Sequence, residues 1–305
     1  MRQEGGSVIS AQIAQLLTDA GLDPEYVERV VRNAVDEDLD GGEDVTTIAT
    51  VDETAQAVAD FTVRAPGVAA GIPVAAAVLD LLSGGDAEVE FHVQDGARVE
   101  AGTVLFTVSG RVRDLLTAER TTLNLLCHLS GIATLTRRWV DAVEGTGAKI
   151  RDTRKTTPGL RKLEKYAVRC GGGVNHRMSL SDAAMVKDNH VVAAGGVVEA
   201  FEAVRKRYPE LPIEVEVDTL DQLLPVVDAG AQLVLLDNFT PERMRAAVLL
   251  VGRNEPYGRT RLEASGGLTL DQARAAAETG VDYLSVGALT HSAPILDVGC
   301  DFRTT

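Results

Sequence analysis

Hydrophobic positions recur at two different periods along the chain, and each change of period marks a change of organisation. From Ser10 to about Asp38 the spacing is helical: Ile13, Leu16 and Leu17, then Tyr26, Val27, Val30 and Val31. Pro24 suits the first turn of the second helix. A polar, glycine-bearing stretch follows, Gly41-Gly-Glu-Asp-Val-Thr-Thr47. Residues 56–110 then alternate. Ala57, Ala59, Phe61 and Val63 predict a half-buried strand, and Val89, Phe91 and Val93 a second. After a turn at Asp95-Gly96, Val104, Phe106 and Val108 predict the returning strand, and a short helix from Pro73 to Leu82 interrupts the series. Residues 111–143 are helical again, with Leu115, Leu116, Leu123, Leu126 and Leu129 on one face. This first part reads as a small mixed domain of sheet and helix.

From Lys149 the rhythm becomes regular. Strands are predicted over Lys149–Lys155, Ala184–Asp188, Ile213–Val217, Leu233–Asp237, Arg261–Ser265 and Tyr283–Val286. Amphipathic helices separate most of them: Val197–Arg207, Leu220–Ala229, Pro241–Val251 and Leu270–Thr279, with Gly230 and Gly280 where helices should end. Repeated strand–helix units imply parallel strands with covered faces. The strand endings choose between an open sheet and a barrel. They are Arg154-Lys155-Thr156, Lys187-Asp188-Asn189, Glu216, Asp237-Asn238, Ser265-Gly266-Gly267 and Gly287. In an α/β barrel the carboxyl ends of the strands converge on one mouth, where active sites sit, so polar endings in series favour a barrel.

Charge sharpens this. The chain has 305 residues and a formal net charge of -15. So acidic a surface repels phosphate backbones and anionic membranes, which excludes nucleic-acid binding by general electrostatics. Between Lys149 and Lys187, however, ten Lys or Arg residues face only three acids, Asp152, Glu164 and Asp182. A basic island in an acidic chain calls for an anionic target. Arg161, Lys162, Lys165 and Arg169 are in part a solvated helix face, whereas Arg154, Lys155, Arg177 and Lys187 stand at strand ends or in glycine-rich loops. Arginine suits bidentate carboxylate or phosphate contacts, and lysine acts as a point charge. Ser265-Gly266-Gly267 before a helix, and Val286-Gly287-Ala288, let backbone N–H groups approach a phosphate. Glu216 and Asp237, at neighbouring strand ends, could hold Mg²⁺ or accept ribose hydroxyls, or pair with the basic cluster.

No stretch is apolar enough to span a membrane. The N-terminal Met-Arg-Gln-Glu-Gly-Gly leads to no hydrophobic segment, so no signal peptide is expected. Three cysteines, Cys127, Cys170 and Cys300, lie at no metal-ligand spacing and read as reduced thiols of a cytoplasmic protein.

In these segments the chain closely resembles the quinolinate phosphoribosyltransferases: Asp152-Thr-Arg-Lys-Thr-Thr-Pro-Gly159, Gly171 to His176-Arg177 and Met185-Val-Lys-Asp-Asn-His190. Further matches are Glu43-Asp44-Val-Thr-Thr47, Glu119-Arg120-Thr-Thr-Leu-Asn124, Ser130-Gly-Ile-Ala133, Glu214-Val-Glu-Val217, Leu235-Leu-Asp-Asn-Phe239, Glu263 to Gly267 and Val286-Gly-Ala-Leu-Thr-His291. The resemblance implies an N-terminal mixed α+β open-sandwich domain over residues 1–130, serving dimerisation and substrate entry. An incomplete parallel α/β barrel over 131–291 follows, then a tail, 292–305, returning to the first domain. It implies transfer of phosphoribosyl from phosphoribosyl pyrophosphate to quinolinate with decarboxylation, giving nicotinic acid mononucleotide, pyrophosphate and CO₂ with Mg²⁺, in a homodimer or a hexamer of dimers.

By resemblance, Arg154, Arg177 and Lys187 hold the quinolinate carboxylates, and Lys155, Thr156 and His176 line the same pocket. Arg120 reaches the neighbouring subunit's site. Glu216 and Asp237 lie near ribose and metal, and Ser265, Gly266, Gly267 and Gly287 bind phosphate. Lys155, Lys187, Glu216 and Asp237 are the expected catalytic set, and His291 also fits its motif. Other readings compete: a paralogous phosphoribosyltransferase for another anionic ring, and a non-catalytic barrel that binds a phosphorylated metabolite. The intact Arg154, Arg177 and Lys187 weigh against the first, and Arg120, Glu216 and Asp237 kept together weigh against the second. An aldolase-type barrel with Lys155 or Lys187 as Schiff-base nucleophile would want a lysine desolvated among apolar groups, not one in a cationic cluster.

Overall fold

The computed structural model describes residues 9–252 and 260–303; the N-terminal hexapeptide discussed above lies outside them. The strands are β1 (Gln56–Val63), β2 (Gly67–Val68), β3 (Glu88–Phe91), β4 (Arg98–Val99), β5 (Val104–Arg111) and β6 (Lys149–Arg151). They continue as β7 (Ala184–Val186), β8 (Ile213–Val217), β9 (Leu233–Asp237), β10 (Arg261–Ser265), β11 (Tyr283–Ser285) and β12 (Val298–Arg303). The chain divides into two compact units, 1–135 with 157–172 and 292–305, and 136–156 with 173–291.

In the first unit an antiparallel sheet runs β12-β1-β5-β3. The alternation of β1 buries Ala57, Ala59, Phe61 and Val63, and Phe61 stacks on Phe106 of β5 with ring centroids 4.5 Å apart. The helix Ile72–Ser83 is apolar all round and buried along nearly its whole length. Its first amides are capped from a distance by Asp95, which accepts from Gly71 N–H at 2.6 Å and Ile72 N–H at 3.1 Å. Asp95 also accepts from the Tyr166 hydroxyl at 2.7 Å.

That last bond ties a later segment of the chain to the first unit. Residues 157–172 belong to the first unit. Their helix, Arg161–Cys170, buries Leu163 to Val168 in an unbroken run, Glu164 meets His128 at 3.0 Å, and Tyr26 O–H donates to the Gly159 carbonyl at 2.6 Å. Lys165 is accordingly fully buried, a correction to its place on a solvated face, while Lys162 is half exposed and reaches Asp23 at 3.2 Å. The C-terminal β12 pairs antiparallel with β1.

In the second unit six parallel strands run in the order β6-β11-β10-β9-β8-β7, with helices Val197–Arg207, Leu220–Asp228 and Pro241–Val251 between successive strands. Strand follows strand in chain order from β7 to β11, and β6 then joins β11. The edges β6 and β7 do not pair; on its free side β6 makes only a parallel bridge from Arg151 to Val174. The result is an incomplete α/β barrel. The expected strands over 149–155 and 184–188 are shorter in the structure because their last residues leave the ladder and turn into the site. Among the described residues no helix is long and apolar enough to cross a membrane.

Candidate functional site

Alternation on the barrel strands puts the polar residues on one face. On β8, Glu214 and Glu216 alternate with buried Val215 and Val217; on β10, Glu263 and Ser265 alternate with Leu262 and Ala264. The register sets Glu216 beside Leu235 and Ser265 beside Asp237, so Glu216, Asp237 and Ser265 end three adjacent strands. Just past the next strand end lies Lys187, which follows β7 and stands 3.3 Å from Glu216. The structure therefore brings Lys187, Glu216, Asp237 and Ser265 to one rim.

Two glycines show that backbone must come close there. Gly266 has φ +97°, and a Cβ on it would lie 2.2 Å from Asn238 Oδ1. Asn238 itself is left-handed at φ 55° and donates its backbone N–H to the Ser265 carbonyl at 2.9 Å, tying the ends of β9 and β10 together. Gly267 continues the left-handed turn. A Cβ at Gly287 would meet Lys155 Cδ at 2.9 Å and His291 Nε2 at 3.3 Å. Lys155 is held from the other side, where its carbonyl accepts from Thr290 O–H at 2.9 Å. Thr156 turns its hydroxyl back to the Arg154 carbonyl at 3.5 Å.

Arg154 and Arg177 form the cationic part of the site. Arg154 Nε is buried with no hydrogen-bond partner. Arg177 donates from Nη1 to the Ala183 carbonyl at 2.9 Å, and burial, together with the Arg154 charge nearby, pulls its pKa below the ordinary arginine value. Two arginines crowded together, one with an unmet buried donor, are destabilised as they stand and would be relieved by an anion. That is the arrangement expected of an anion site.

Below them lies a buried polar network of which sequence reasoning assigned His176 alone. His176, 8 % exposed, accepts the Arg177 backbone N–H on Nδ1 at 2.7 Å, which leaves the ring proton on Nε2, 2.6 Å from Glu214 Oε2. Glu263, fully buried, bonds Arg151 and the Ser285 hydroxyl. Burial raises both carboxyls, Glu214 to about 7; the Glu214 charge raises Glu263 further, and the Arg151 charge opposes the rise in both. The signal for Glu214 was present: in Ile213-Glu-Val-Glu-Val217 two glutamates two apart must share a strand face. His176, Glu214 and Glu263 converge closely enough to suggest a metal trio. They fit one poorly, because Arg151 already neutralises Glu263 and the His176 nitrogen that faces the carboxylates carries the proton. Glu216 and Asp237 are better oxygen donors, half-exposed at the rim, with Asp237 accepting from Asn238 Nδ2 at 2.7 Å.

A cavity of about 1370 Å³ opens at the opposite ends of the strands, where Ile213, Leu233, Arg261 and Tyr283 stand, and reaches His176 and Arg177 from below. Arg120 is exposed and belongs to the first unit.

Comparison with known proteins agrees with this architecture. Residues 44–130 match the N-terminal domain of quinolinate phosphoribosyl transferase and residues 132–301 its C-terminal domain. A nicotinate-nucleotide pyrophosphorylase (carboxylating) of Mycobacterium leprae is 54% identical over 94% of this chain and 100% of its own. A probable enzyme of the same name from Bacillus subtilis is 41% identical over 83% of this chain and 89% of its own. Among solved structures, the nicotinate-nucleotide pyrophosphorylase of Francisella tularensis superposes with a TM-score of 0.86 at 37% identity, covering 92% of this chain and 96% of the other. With both domain models matched in order, the chain belongs to the quinolinate phosphoribosyltransferase family.

Proposed function

We propose that this protein transfers the phosphoribosyl group of phosphoribosyl pyrophosphate to quinolinate and removes one carboxylate as CO₂, giving nicotinic acid mononucleotide and pyrophosphate for NAD biosynthesis. The observation that carries the reading is the Arg154–Arg177 pair with its unmet buried donor, beside the Lys187–Glu216 rim. Arg154, Arg177 and Lys187 bind the two carboxylates of quinolinate and aim its ring nitrogen at ribose C1, a positioning effect. As pyrophosphate departs, positive charge grows on the ribose, and the carboxylates of Glu216 and Asp237 stabilise it. The glycine turns at Ser265-Gly266-Gly267 and Gly287 present backbone amides to the 5′-phosphate, and Lys155 lines the quinolinate pocket. Once the ring nitrogen is quaternary, its positive charge stabilises the electron pair left on the adjacent ring carbon when that carbon's carboxylate leaves as CO₂, and a proton from solvent then takes up the pair.

Glu216 and Asp237 would hold Mg²⁺, which when bound supplies neutralising charge to the pyrophosphate. Thr156 and His176 complete the pocket wall. Arg120 serves the site of a second copy, making a homodimer, alone or in a hexamer of dimers, the working unit. The cytoplasm is the setting, where the thiols of Cys127, Cys170 and Cys300 persist reduced.

The test is an assay of purified protein with quinolinate, phosphoribosyl pyrophosphate and Mg²⁺, following nicotinic acid mononucleotide and CO₂, with nicotinate in parallel. Product from quinolinate alone is expected. Arg154→Ala or Lys187→Ala should lower kcat/KM by roughly 30-fold or more, the cost of losing one partner of a buried charge contact. Product from nicotinate alone would mean a ring with a single carboxylate is the substrate, and the assignment would fall.

A further inference from the structure

Arg154 and Arg177 come from segments far apart in sequence, and something must fix the distance between them. Arg154 follows β6 by three residues, whereas Arg177 lies beyond Val174, whose only ladder contact is the bridge to Arg151. Two side chains tie the segments together: Arg151 Nε donates to the Asn175 carbonyl at a long 3.5 Å, and Asp152 makes the shorter bonds. Asp152 is fully buried, and its Oδ1 accepts the His176 backbone N–H at 2.7 Å while its Oδ2 accepts from Asn175 Nδ2 at 2.5 Å. Its own N–H donates to the Val174 carbonyl at 3.2 Å. From His176 the linkage continues through the ring, whose Nδ1 receives the Arg177 N–H.

We propose that Asp152 is a positioning residue that sets the spacing of the Arg154 and Arg177 guanidinium groups, and through it the preference for two adjacent carboxylates over one. The inference rests on the functional reading above. Both carboxylate oxygens are spent as acceptors for donors of the second segment, so the role needs a carboxylate and not merely a polar residue of that shape. An asparagine keeps one acceptor and turns an N–H₂ toward a donor, breaking one of the two ties. Asp152 is fully buried with both oxygens engaged by the second segment, so it acts through the arginines and not on substrate. A ring with two neighbouring carboxylates feels a change in the arginine spacing at both groups, whereas phosphoribosyl pyrophosphate, held at the Ser265 and Gly287 turns and the Glu216–Asp237 rim, does not.

The experiment compares full-length wild type, Asp152→Asn and Asn175→Ala, with initial rates varying each substrate in turn, quinolinate binding by calorimetry, and thermal melting. Asp152→Asn should raise the KM and the dissociation constant for quinolinate about tenfold, the worth of one charge-assisted hydrogen bond. The KM for phosphoribosyl pyrophosphate should stay within about twofold, a split that general loosening would not produce. Asn175→Ala, which leaves Asp152 and the His176 tie in place, should move the quinolinate constants the same way by about threefold, and it decides the matter if Asp152→Asn does not fold. Quinolinate constants unchanged in a folded variant, or both substrates weakened equally, would overturn the role of Asp152 while leaving the activity standing. A wild type that neither binds nor converts quinolinate would overturn the functional reading and this inference with it.

Discussion

At the scale of single residues, the site is made by exclusions as much as by contacts. Gly266 is the sharpest case. Its φ of +97° is one that L side chains avoid, and the space where a Cβ would sit is already taken by the Asn238 amide. Both penalties fall on the turn that the functional reading assigns to phosphate. Gly266→Ala should therefore cost about 1–3 kcal/mol of stability, read as a lowered melting temperature. It should also raise the KM for phosphoribosyl pyrophosphate more than that for quinolinate. Gly267 is left-handed too, but open space surrounds the position of its Cβ, so Gly267→Ala should be the milder change. Equal effects of the two substitutions would show that the Asn238 contact is irrelevant and backbone conformation alone matters.

At the scale of elements, much was legible because period and capping chemistry are local. Ile213–Val217, Leu233–Asp237 and Arg261–Ser265 run as the strand–helix rhythm predicts, and so do the helices Val197–Arg207 and Pro241–Val251. What was not legible depends on partners distant in sequence. The basic helix Arg161–Cys170 looked like a solvated face of the second domain, yet Tyr166 finds Asp95 and Glu164 finds His128, and the helix joins the first unit. Val298–Arg303 carries a glycine and an aspartate and has no clear alternation, but β1 offers it a free edge. In the site the charged types were readable from the strand endings; the use of Asp152 was not, since a buried acid in a basic motif says nothing about which donors it meets. The same distance dependence yields a prediction at Asp23, which caps the helix Pro24–Leu39 and also meets Lys162. The Lys162 contact first, and the capped amides of Tyr26 and Glu25, hold its carboxyl below the usual aspartate value. A depressed folded pKa stabilises above the unfolded value of about 3.9 and loses that stabilisation as pH falls through the folded one. Asp23→Ala should cost about 1 kcal/mol in chemical denaturation at pH 7, and the difference from wild type should be lost at a pH low enough to protonate Asp23 in the folded protein. A difference that persists at that pH would mean the cap acts without its charge.

At the scale of the whole molecule, charge and assembly meet. A chain of net charge -15 places ten of its 30 basic residues between Lys149 and Lys187, and six of the ten, Lys149, Arg151, Arg154, Lys155, Arg177 and Lys187, lie in the barrel unit, where they draw an anionic substrate that the acidic surface repels. The barrel unit holds every candidate site residue except Arg120, which is exposed on the long helix of the other unit. If Arg120 completes the site of a second copy, two inactive variants can rescue each other. Arg120→Ala lacks only what it lends, and Arg154→Ala lacks only what it owns. In a mixed dimer, the subunit with Arg120→Ala keeps its own Arg154 and receives an intact Arg120 from its partner, so one site is whole; the other carries both losses. Random exchange puts half of the subunits' pairings in mixed dimers, and the mixture should regain about one quarter of wild-type activity. If Arg120 instead serves its own chain, every site in every dimer lacks one arginine, and mixing restores nothing. Equilibrating the two purified variants after mild dissociation, then assaying against each variant alone, separates the two arrangements without reference to any assumed geometry.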